Sequence, residues 1–238
     1  MYRIYRSGQL EYFQKKADKS FWEEHWEACN LEEELKKENQ FIQRTLFQYN
    51  AHGSRVLEGG CGSCSFLYPM KYSGYQAVGV DFAEKTLQAV KKIAPELTLC
   101  IGDLTTLAFK DASFDAYWSI GVIEHFINGY EEILIECKRV LKDGGIAYIS
   151  FPYMNFLRRL KGKLGCYKKM PLEDMEFYQY VLDQKLVKKK WEDYGFKFLD
   201  RFYMFPHFRH NFIKSRVIHF LTDPWHHHSV MLLFKKLR

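Results

Sequence analysis

The sequence predicts an α/β fold in which seven strands form a mostly parallel sheet with helices on both faces. From residue 55 onward, short β-rich runs alternate with helical segments, which is typical of βαβ units. The first of these strands leads into a glycine-rich loop at residues 59–62. Acidic residues stand at or beside the ends of three successive strands, namely Glu58, Asp81 and Asp103. Ligands of open α/β sheets bind at such strand ends.

The composition fits one globular domain of 238 residues, with 47% hydrophobic and 27% charged residues. These fractions exclude disorder, collagen and coiled coil as the dominant state. An uninterrupted apolar stretch of about 18 residues, which a membrane-spanning helix needs, is absent. Six cysteines are too few for a disulfide scaffold, and the first residues lead into no apolar leader segment. A soluble, cytoplasmic protein is therefore expected.

The first fifty residues are predicted to be helical. Ser20 is a suitable N-cap for a short helix. Asn30, followed three residues later by Glu33, resembles a capping box that opens a second helix over 31–49. A break at 51–54 then separates this extension from the sheet.

The remaining elements follow the strand–helix alternation. Helices are predicted over 84–93, 130–141 and 183–194. The seven predicted strands lie at 56–57, 77–80, 97–101, 114–119, 146–151, 196–205 and 229–237. This order describes a Rossmann-like domain with an insertion after its fifth strand.

The net charge of +6 conceals two parts of opposite sign. Residues 1–153 carry 17 basic and 21 acidic side chains, whereas residues 154–238 carry 18 and 8. Residues 154–172 contain no acidic residue and six basic ones, namely Arg158, Arg159, Lys161, Lys163, Lys168 and Lys169. Such a segment indicates either a surface for anions or membranes or a solvated helix face.

The glycine loop departs from the dinucleotide-binding pattern. That pattern requires G-x-G-x-x-G, and here Gly60 and Gly62 lack the third glycine. Glu58 directly precedes the loop, where it would repel a pyrophosphate and suit a cationic group such as an ammonium. Asp81, 23 residues further on, is placed to accept the hydroxyls of a ribose.

Together these stretches resemble the class I S-adenosylmethionine-dependent methyltransferases, of the small-molecule methyltransferase-domain type. The resemblance covers about residues 55–151 and is weaker to residue 237. It implies a last strand that runs antiparallel to the others. The matching stretches are VLEGGCG at 56–62, GVDF at 79–82, GDL at 102–104, FD at 114–115 with SIGVIEH at 119–125, and LKDGG at 141–145.

The resemblance implies S-adenosyl-L-methionine as cofactor and S-adenosyl-L-homocysteine as product. Gly59, Gly60 and Gly62 would form the loop beneath the methionine part. Glu58 would lie near its ammonium. One departure is Cys64, which replaces the third glycine of this motif.

The resemblance also implies contacts to the remainder of the cofactor. Asp81 would hold the ribose diol, and Phe82 would pack on the adenine. Asp103 would accept from the adenine amino group, while the Leu104 amide would donate to the ring. The methionine end would be lined by Ser119 and Ile120.

His125 is the candidate general base, since the histidine pKa lies close to neutrality. The alternative is a hydrogen-bonded histidine that shapes its loop. Glu124-His125 also resembles a metal site of RNA 3′-end methyltransferases, but Gly121 stands where that site needs a glutamate. Cys61 and Cys64 form a C-x-x-C without a second pair, so neither a zinc nor a redox site is predicted.

The chain is interpreted as one methyltransferase domain. Its parts are a helical cap over 1–53, a cofactor-binding core over 54–151, a basic lid over 152–182 and the C-terminal part of the sheet over 183–238. The expected partner is a small-molecule acceptor, anionic or lipid-linked, with peripheral contact to an anionic membrane as a further hypothesis. Nucleic acid is not expected, because no RNA-binding module is recognisable. The alternatives are a nicotinamide-dependent oxidoreductase and a non-catalytic protein of the same fold.

Overall fold

A computed structural model describes residues 1–16, 19–36, 40–168, 173–206 and 227–238. Within these residues the strands are β1 (Tyr2–Arg6), β2 (Gln9–Gln14), β3 (Arg55–Gly59), β4 (Gln76–Asp81), β5 (Thr98–Ile101), β6 (Phe114–Ile120), β7 (Leu141–Pro152), β8 (Glu176–Val181), β9 (Phe196–Pro206) and β10 (His227–Lys236). The helices are α1 (Lys19–Glu27), α2 (Leu31–Lys36), α3 (Gln40–Tyr49), α4 (Leu67–Tyr72), α5 (Glu84–Ile93), α6 (Glu131–Val140), α7 (Phe156–Lys163) and α8 (Gln184–Asp193).

The main sheet confirms the predicted fold class. Its seven strands lie in the order β5-β4-β3-β6-β7-β10-β9. The strands β5, β4, β3, β6 and β7 are parallel neighbours, whereas β10 runs antiparallel to both β7 and β9. After β3 the chain builds outward to β4 and β5, then returns to place β6 on the other side of β3. The carboxyl ends of β3, β4 and β6 therefore frame the crevice in which α/β sheets bind ligands.

Hydrophobic layers cover both faces of this sheet. Along β6, Tyr117 and Trp118 are both fully buried but belong to opposite layers, because successive strand residues point to opposite faces. One layer packs the sheet against α6 and α8, and the other packs it against α3, α4 and α5. The sheet is thus rigidly sandwiched, and its strand ends hold fixed positions.

The prediction of a helix is wrong for the first fourteen residues. They form the antiparallel hairpin β1–β2, in which Tyr2 pairs with Phe13 and Arg6 with Gln9. Ser7 and Gly8, at the turn, have φ values of 51° and 80°, and such positive values suit the tight turns that join twisted strands. β2 also pairs with β8, so a distant partner stabilises this hairpin.

The rest of the N-terminal extension is helical, as predicted, but in shorter pieces. The single helix expected over 31–49 is divided into α2 and α3, with residues 37–39 outside the described part. The Asn30 side chain accepts from the Glu33 amide at 3.4 Å and donates to the Glu33 carboxylate at 2.9 Å. The N-cap bond of the predicted capping box is therefore present, whereas Glu33 accepts from the side-chain amide of Asn30 instead of its backbone amide.

A second, three-stranded sheet of order β1-β2-β8 lies beyond the carboxyl end of β7. It is joined to the main sheet by two backbone hydrogen bonds, from Met154 to Leu182 at 2.8 Å and from Leu182 to Pro152 at 2.9 Å. The predicted basic lid over 152–182 therefore contains α7 and β8. Lys169 of the basic segment lies outside the described residues. The described helices include none that is long and apolar enough to cross a membrane.

Candidate functional site

The loop after β3 makes a tight turn at the carboxyl edge of the sheet. Gly60 and Gly62 have φ values of 74° and 45°, a region that only glycine adopts without cost. A Cβ atom would lie 2.5 Å from Val122 at Gly60, and 2.5 Å from the Trp26 ring at Gly62. The two glycines thus leave room for groups that pack directly on the loop backbone.

At Cys64 the backbone adopts a conformation that a glycine would take without strain. Its φ of 61° lies in the left-handed region, where a side chain adds strain. The thiol is completely buried. A glycine at this position would relieve the backbone strain and would also take less room in the core.

The amides of this loop are already engaged within the protein. The amides of Gly60 and Cys61 both donate to the Val80 carbonyl, at 2.8 and 3.1 Å. The Gly62 amide donates to the Asp81 carboxylate at 2.8 Å. Since a phosphate-binding loop turns its amides toward the ligand, this loop is not built to bind a pyrophosphate.

Asp81 braces the loop from the end of β4. Its second oxygen accepts from the Ala83 amide at 2.9 Å, and the side chain is buried. Asp81 thus lies at the cavity and holds the amides of Gly62 and Ala83 in place.

Glu58 is a buried carboxyl beside Asp81. It is 2% exposed, and its Oε2 atom has no hydrogen-bond partner among the described residues. Burial, and secondly the charge of Asp81, raise the pKa of Glu58 well above its usual range. A cation placed beside this group would stabilise its carboxylate form.

A small cavity of about 110 Å³ lies between the glycine loop, the end of β6 and helix α1. It is lined by Trp22, Trp26, Gly60, Asp81, Ile120, Gly121, Val122, His125 and Phe126. Helix α1 packs on α5, and an ion pair of 3.3 Å joins Glu23 to Lys85. Helix α1 of the N-terminal extension therefore covers the crevice at the carboxyl ends of the strands.

His125 lies in a short 3-10 helix, Ile123–His125, that follows β6. Its Nδ1 atom is 2.7 Å from the Tyr178 carbonyl. Because a carbonyl only accepts hydrogen bonds, Nδ1 carries the proton and Nε2 keeps a lone pair. Burial lowers the pKa of His125 to about 4, although the bond to Tyr178 opposes this shift. The imidazole is thus neutral near pH 7.

Aromatic rings enclose His125. The rings of Trp22 and Tyr178 each lie 4.9 Å from the imidazole, and they stack on one another at 6.0 Å. Tyr178 also contacts Phe21 edge to face. Strand β8 and helix α1 therefore meet over His125 and form an apolar wall.

Glu124 is a second buried carboxyl in the same 3-10 helix. It is 2% exposed, and its Oε2 atom has no hydrogen-bond partner among the described residues. Burial raises the pKa of Glu124 to about 8. The sequence identified this residue only as part of a metal motif, since nothing local signals its burial.

A wider cavity of about 600 Å³ adjoins the first at His125 and Phe126. Its lining is Thr105, His125, Phe126, Ile127, Asn128, Gly129, Glu131 and Glu132. Neither cavity has a lysine or arginine among its described lining residues. His125 and Phe126 therefore border both cavities.

The structure gathers some of the predicted site residues and separates others. Gly60, Asp81, Ile120 and His125 line the small cavity, and Glu58, Gly59 and Gly62 lie in or directly before the loop beside it. Phe82 and Asp103 are exposed further along the edge. Asp103 accepts from the amide and hydroxyl of Thr105, both at 2.8 Å. Leu104 and Ser119 are buried.

Other residues of the site escaped sequence reasoning. Val122 and Phe126 contribute to the walls, and only the fold brings them together. The aromatic stretch 177–180 of the basic lid supplies a further wall through Tyr178, whose ring lies 4.9 Å from His125. The indoles of Trp22 and Trp26, aromatic residues at a helical spacing that fits either a core or a pocket wall, line the small cavity. Among the described residues, the histidine, cysteine, aspartate and glutamate side chains form no cluster that could hold a metal ion.

Comparisons with known proteins show the family to which this chain belongs. The family model for the methyltransferase domain matches residues 57–149. A putative methyltransferase of Encephalitozoon cuniculi is 30% identical over 168 residues, covering 66% of this chain and 77% of that protein. A probable S-adenosylmethionine-dependent methyltransferase of Mycolicibacterium smegmatis is 32% identical over 123 residues. That match covers 50% of this chain and 48% of the relative, so this chain spans about half of its length.

Solved structures share the fold at low sequence identity. The crystal structure of a SAM-dependent methyltransferase from Methanosarcina mazei has a TM-score of 0.63 and 17% identity. The match covers 81% of this chain and 96% of that one. The main sheet and its flanking helices are therefore an established arrangement.

Proposed function

Because the chain belongs to the class I S-adenosylmethionine-dependent methyltransferases, we propose that it methylates a small molecule whose reacting end is a hydroxyl on a flat, uncharged, apolar group. The observation that carries this proposal is the neutral His125, enclosed by aromatic rings next to the glycine loop. The cofactor supplies a methyl group already activated on a sulfonium. The protein must then align the acceptor and exclude water.

The residues beside the glycine loop fit the methionine part of this cofactor. The buried Glu58 oxygen without a partner suits a ligand ammonium, directly or through water. Gly60 and Gly62 offer a surface that any side chain would obstruct. The cavity of about 110 Å³ is smaller than the roughly 300 Å³ of the smallest usual ligand pockets. Trp26, which lies on Gly62, must therefore move when the cofactor binds.

The adenosine part would extend along the strand ends. In this proposal Asp81, at the end of β4 and in the lining of the small cavity, accepts the ribose hydroxyls. The exposed ring of Phe82 packs on the adenine. Asp103 and the Leu104 amide bind the adenine edge, while Ser119 and Ile120 border the methionine end.

His125 has two roles in the proposed reaction. Its Nδ1–H holds β8 in place through Tyr178. Its Nε2 accepts the hydrogen bond of the acceptor hydroxyl and takes the proton as the new C–O bond forms. The oxygen becomes strongly acidic only at that stage, so a base with a pKa of about 4 suffices.

The cavity linings do not favour an anionic reacting end. The wider cavity carries Glu131 and Glu132 and no described cation, so a phosphate or carboxylate beside His125 would lack a partner. The loop after β3 engages its amides within the protein, which likewise disfavours the nicotinamide alternative. A lipid-linked acceptor remains part of the proposal, with its chain outside the cavities.

A panel of acceptors with methyl-labelled S-adenosylmethionine tests this function. The panel comprises phenols, catechols and lipid-linked aromatic hydroxyls, with sugar phosphates and primary amines for comparison. We expect labelled methyl ethers from the hydroxyl compounds. Methylation confined to sugar phosphates or amines would contradict the proposed acceptor class. If no compound is labelled although S-adenosylhomocysteine binds, the non-catalytic alternative holds instead.

A further inference from the structure

Helix α7 presents an apolar stripe to the solvent and a polar residue to the protein. Phe156, Leu160 and Leu164 are 55%, 41% and 69% exposed. These positions recur every four residues and therefore share one side of the helix. On an ordinary surface helix this side would face the core. Here Arg158, only 8% exposed, faces inward.

The inner side of α7 is fixed by specific contacts. Arg158 donates to the Tyr153 carbonyl at 2.6 Å, and the Asn155 cap accepts from the Arg158 amide at 2.9 Å. Gly162 lies against the ring of Tyr5, with only 2.6 Å available to a Cβ atom. The helix cannot rotate to bury its apolar stripe without losing these contacts.

Basic residues flank the apolar stripe on both sides. With about 100° of rotation per residue, Arg159 and Lys163 lie on one side of the stripe and Lys161 on the other. Lys161 and Lys163 are exposed, whereas Arg159 pairs with Asp183 at 2.6 Å. Lys168, also exposed, pairs through its backbone with Arg3 of β1. Residues 154–172 contain no acidic side chain that would offset these charges.

We propose that the exposed face of α7 binds the surface of an anionic lipid bilayer. Its apolar side chains would enter the region between headgroups and acyl chains, while Lys161, Lys163 and Lys168 contact anionic headgroups. Nucleic acid would attract the lysines but would not require the apolar stripe. An anionic bilayer offers an apolar phase and negative charge together along the whole stripe.

Vesicle co-sedimentation with the full chain tests this surface without any activity measurement. We expect binding to phosphatidylcholine vesicles that contain phosphatidylserine and no binding to phosphatidylcholine alone. The double variant Lys161→Glu/Lys163→Glu should bind at least 25-fold more weakly, at about fivefold per charge removed. Lys92→Glu/Lys110→Glu makes the same charge change at exposed positions elsewhere and should bind like the wild type.

The variant Leu160→Ser/Leu164→Ser separates a bilayer from a purely electrostatic partner. It keeps every charge and alters only exposed side chains, so its thermal unfolding should match the wild type. Vesicle binding should fall about tenfold or more because two apolar side chains no longer enter the interface. Ile135→Ser, at a 50% exposed position of α6, is its control. Unchanged vesicle binding of the serine variant, or tighter binding of RNA or polyglutamate than of vesicles, would overturn the proposal.

Discussion

At the scale of single residues, the site depends on groups whose burial changes their chemistry. Sequence reasoning identified Glu58, Asp81 and His125 correctly as residues near one crevice, because strand ends and motif spacing are local properties. It did not foresee the burial of Glu124. It offered a hydrogen-bonded His125 as one alternative but no partner, since Tyr178 lies 53 positions away. The roles proposed for these side chains lead to two predictions.

The variant His125→Asn separates the two roles of the imidazole. An asparagine amide can replace Nδ1–H as donor to the Tyr178 carbonyl, but it offers no basic nitrogen at the position of Nε2. We expect kcat to fall about 10²–10⁴-fold while the Kd for S-adenosylhomocysteine stays unchanged. In the wild type, kcat/KM should show no ionisation of His125 between pH 6 and 8, since its pKa is about 4.

Steady-state kinetics on the hydroxyl acceptor found in the labelling panel provide the readout. A His125→Asn enzyme with wild-type kcat would show that the histidine only shapes the loop. His125→Gln, which mimics the other nitrogen, should lose the bond to β8 and lower thermal stability as well.

Glu124→Gln should stabilise the protein at alkaline pH. Glutamate ionises near pH 4.3 in the unfolded chain, whereas burial raises the pKa of Glu124 to about 8 in the fold. Its contribution to stability is therefore full below about pH 4.3 and is lost as the pH rises through 8. The variant should match the wild type near pH 4 and have a Tm several degrees higher at pH 8.5.

Thermal unfolding of both proteins across this pH range checks the expectation. Glu27→Gln, at an exposed position of α1, is the matched control and should follow the wild type. Equal Tm differences at pH 4 and pH 8.5 would show that Glu124 is not protonated by burial.

At the scale of elements, local pattern predicted the strands of the main sheet and the helical part of the extension, but it failed for the first fourteen residues. The hairpin β1–β2 is stabilised by its pairing with β8, more than 150 residues away, and no local signal announces that pairing. The division of the helix predicted over 31–49 was also missed. Packing of α1 on α5 then determines the size of the cavity over the glycine loop.

Cofactor binding should displace Trp26 from Gly62. The indole lies where a Cβ of Gly62 would be only 2.5 Å away, and the cavity beneath it is small. We therefore expect S-adenosylhomocysteine to change the tryptophan emission of the wild type. Trp26→Phe should lose most of this change, whereas Trp191→Phe, buried against β10 and remote from the loop, should keep it. Unaltered tryptophan emission at saturating S-adenosylhomocysteine would contradict the displacement of Trp26.

At the scale of the whole molecule, the charge asymmetry has a structural basis. Residues 1–153, which carry the net acidic charge, contain the glycine loop and the buried carboxylates beside it. The sulfonium and the ammonium of the cofactor would bind next to these carboxylates. The basic excess includes α7, which lies outside both cavities. The sequence alone suggested an anionic acceptor from this excess. The fold shows that α7, which carries part of this basic charge, lines neither of the two cavities at His125.

Calorimetric titration with S-adenosylhomocysteine tests the central claim, that the carboxyl edge of β3, β4 and β6 binds the cofactor. The wild type should bind one ligand per chain. Asp81→Ala should weaken binding at least tenfold, since each hydrogen bond to a charged group contributes about 1.5–3 kcal/mol. Asp143→Ala, an exposed site at the opposite end of the sheet, should bind like the wild type. Absence of wild-type binding, or equal affinity of Asp81→Ala, would contradict the account.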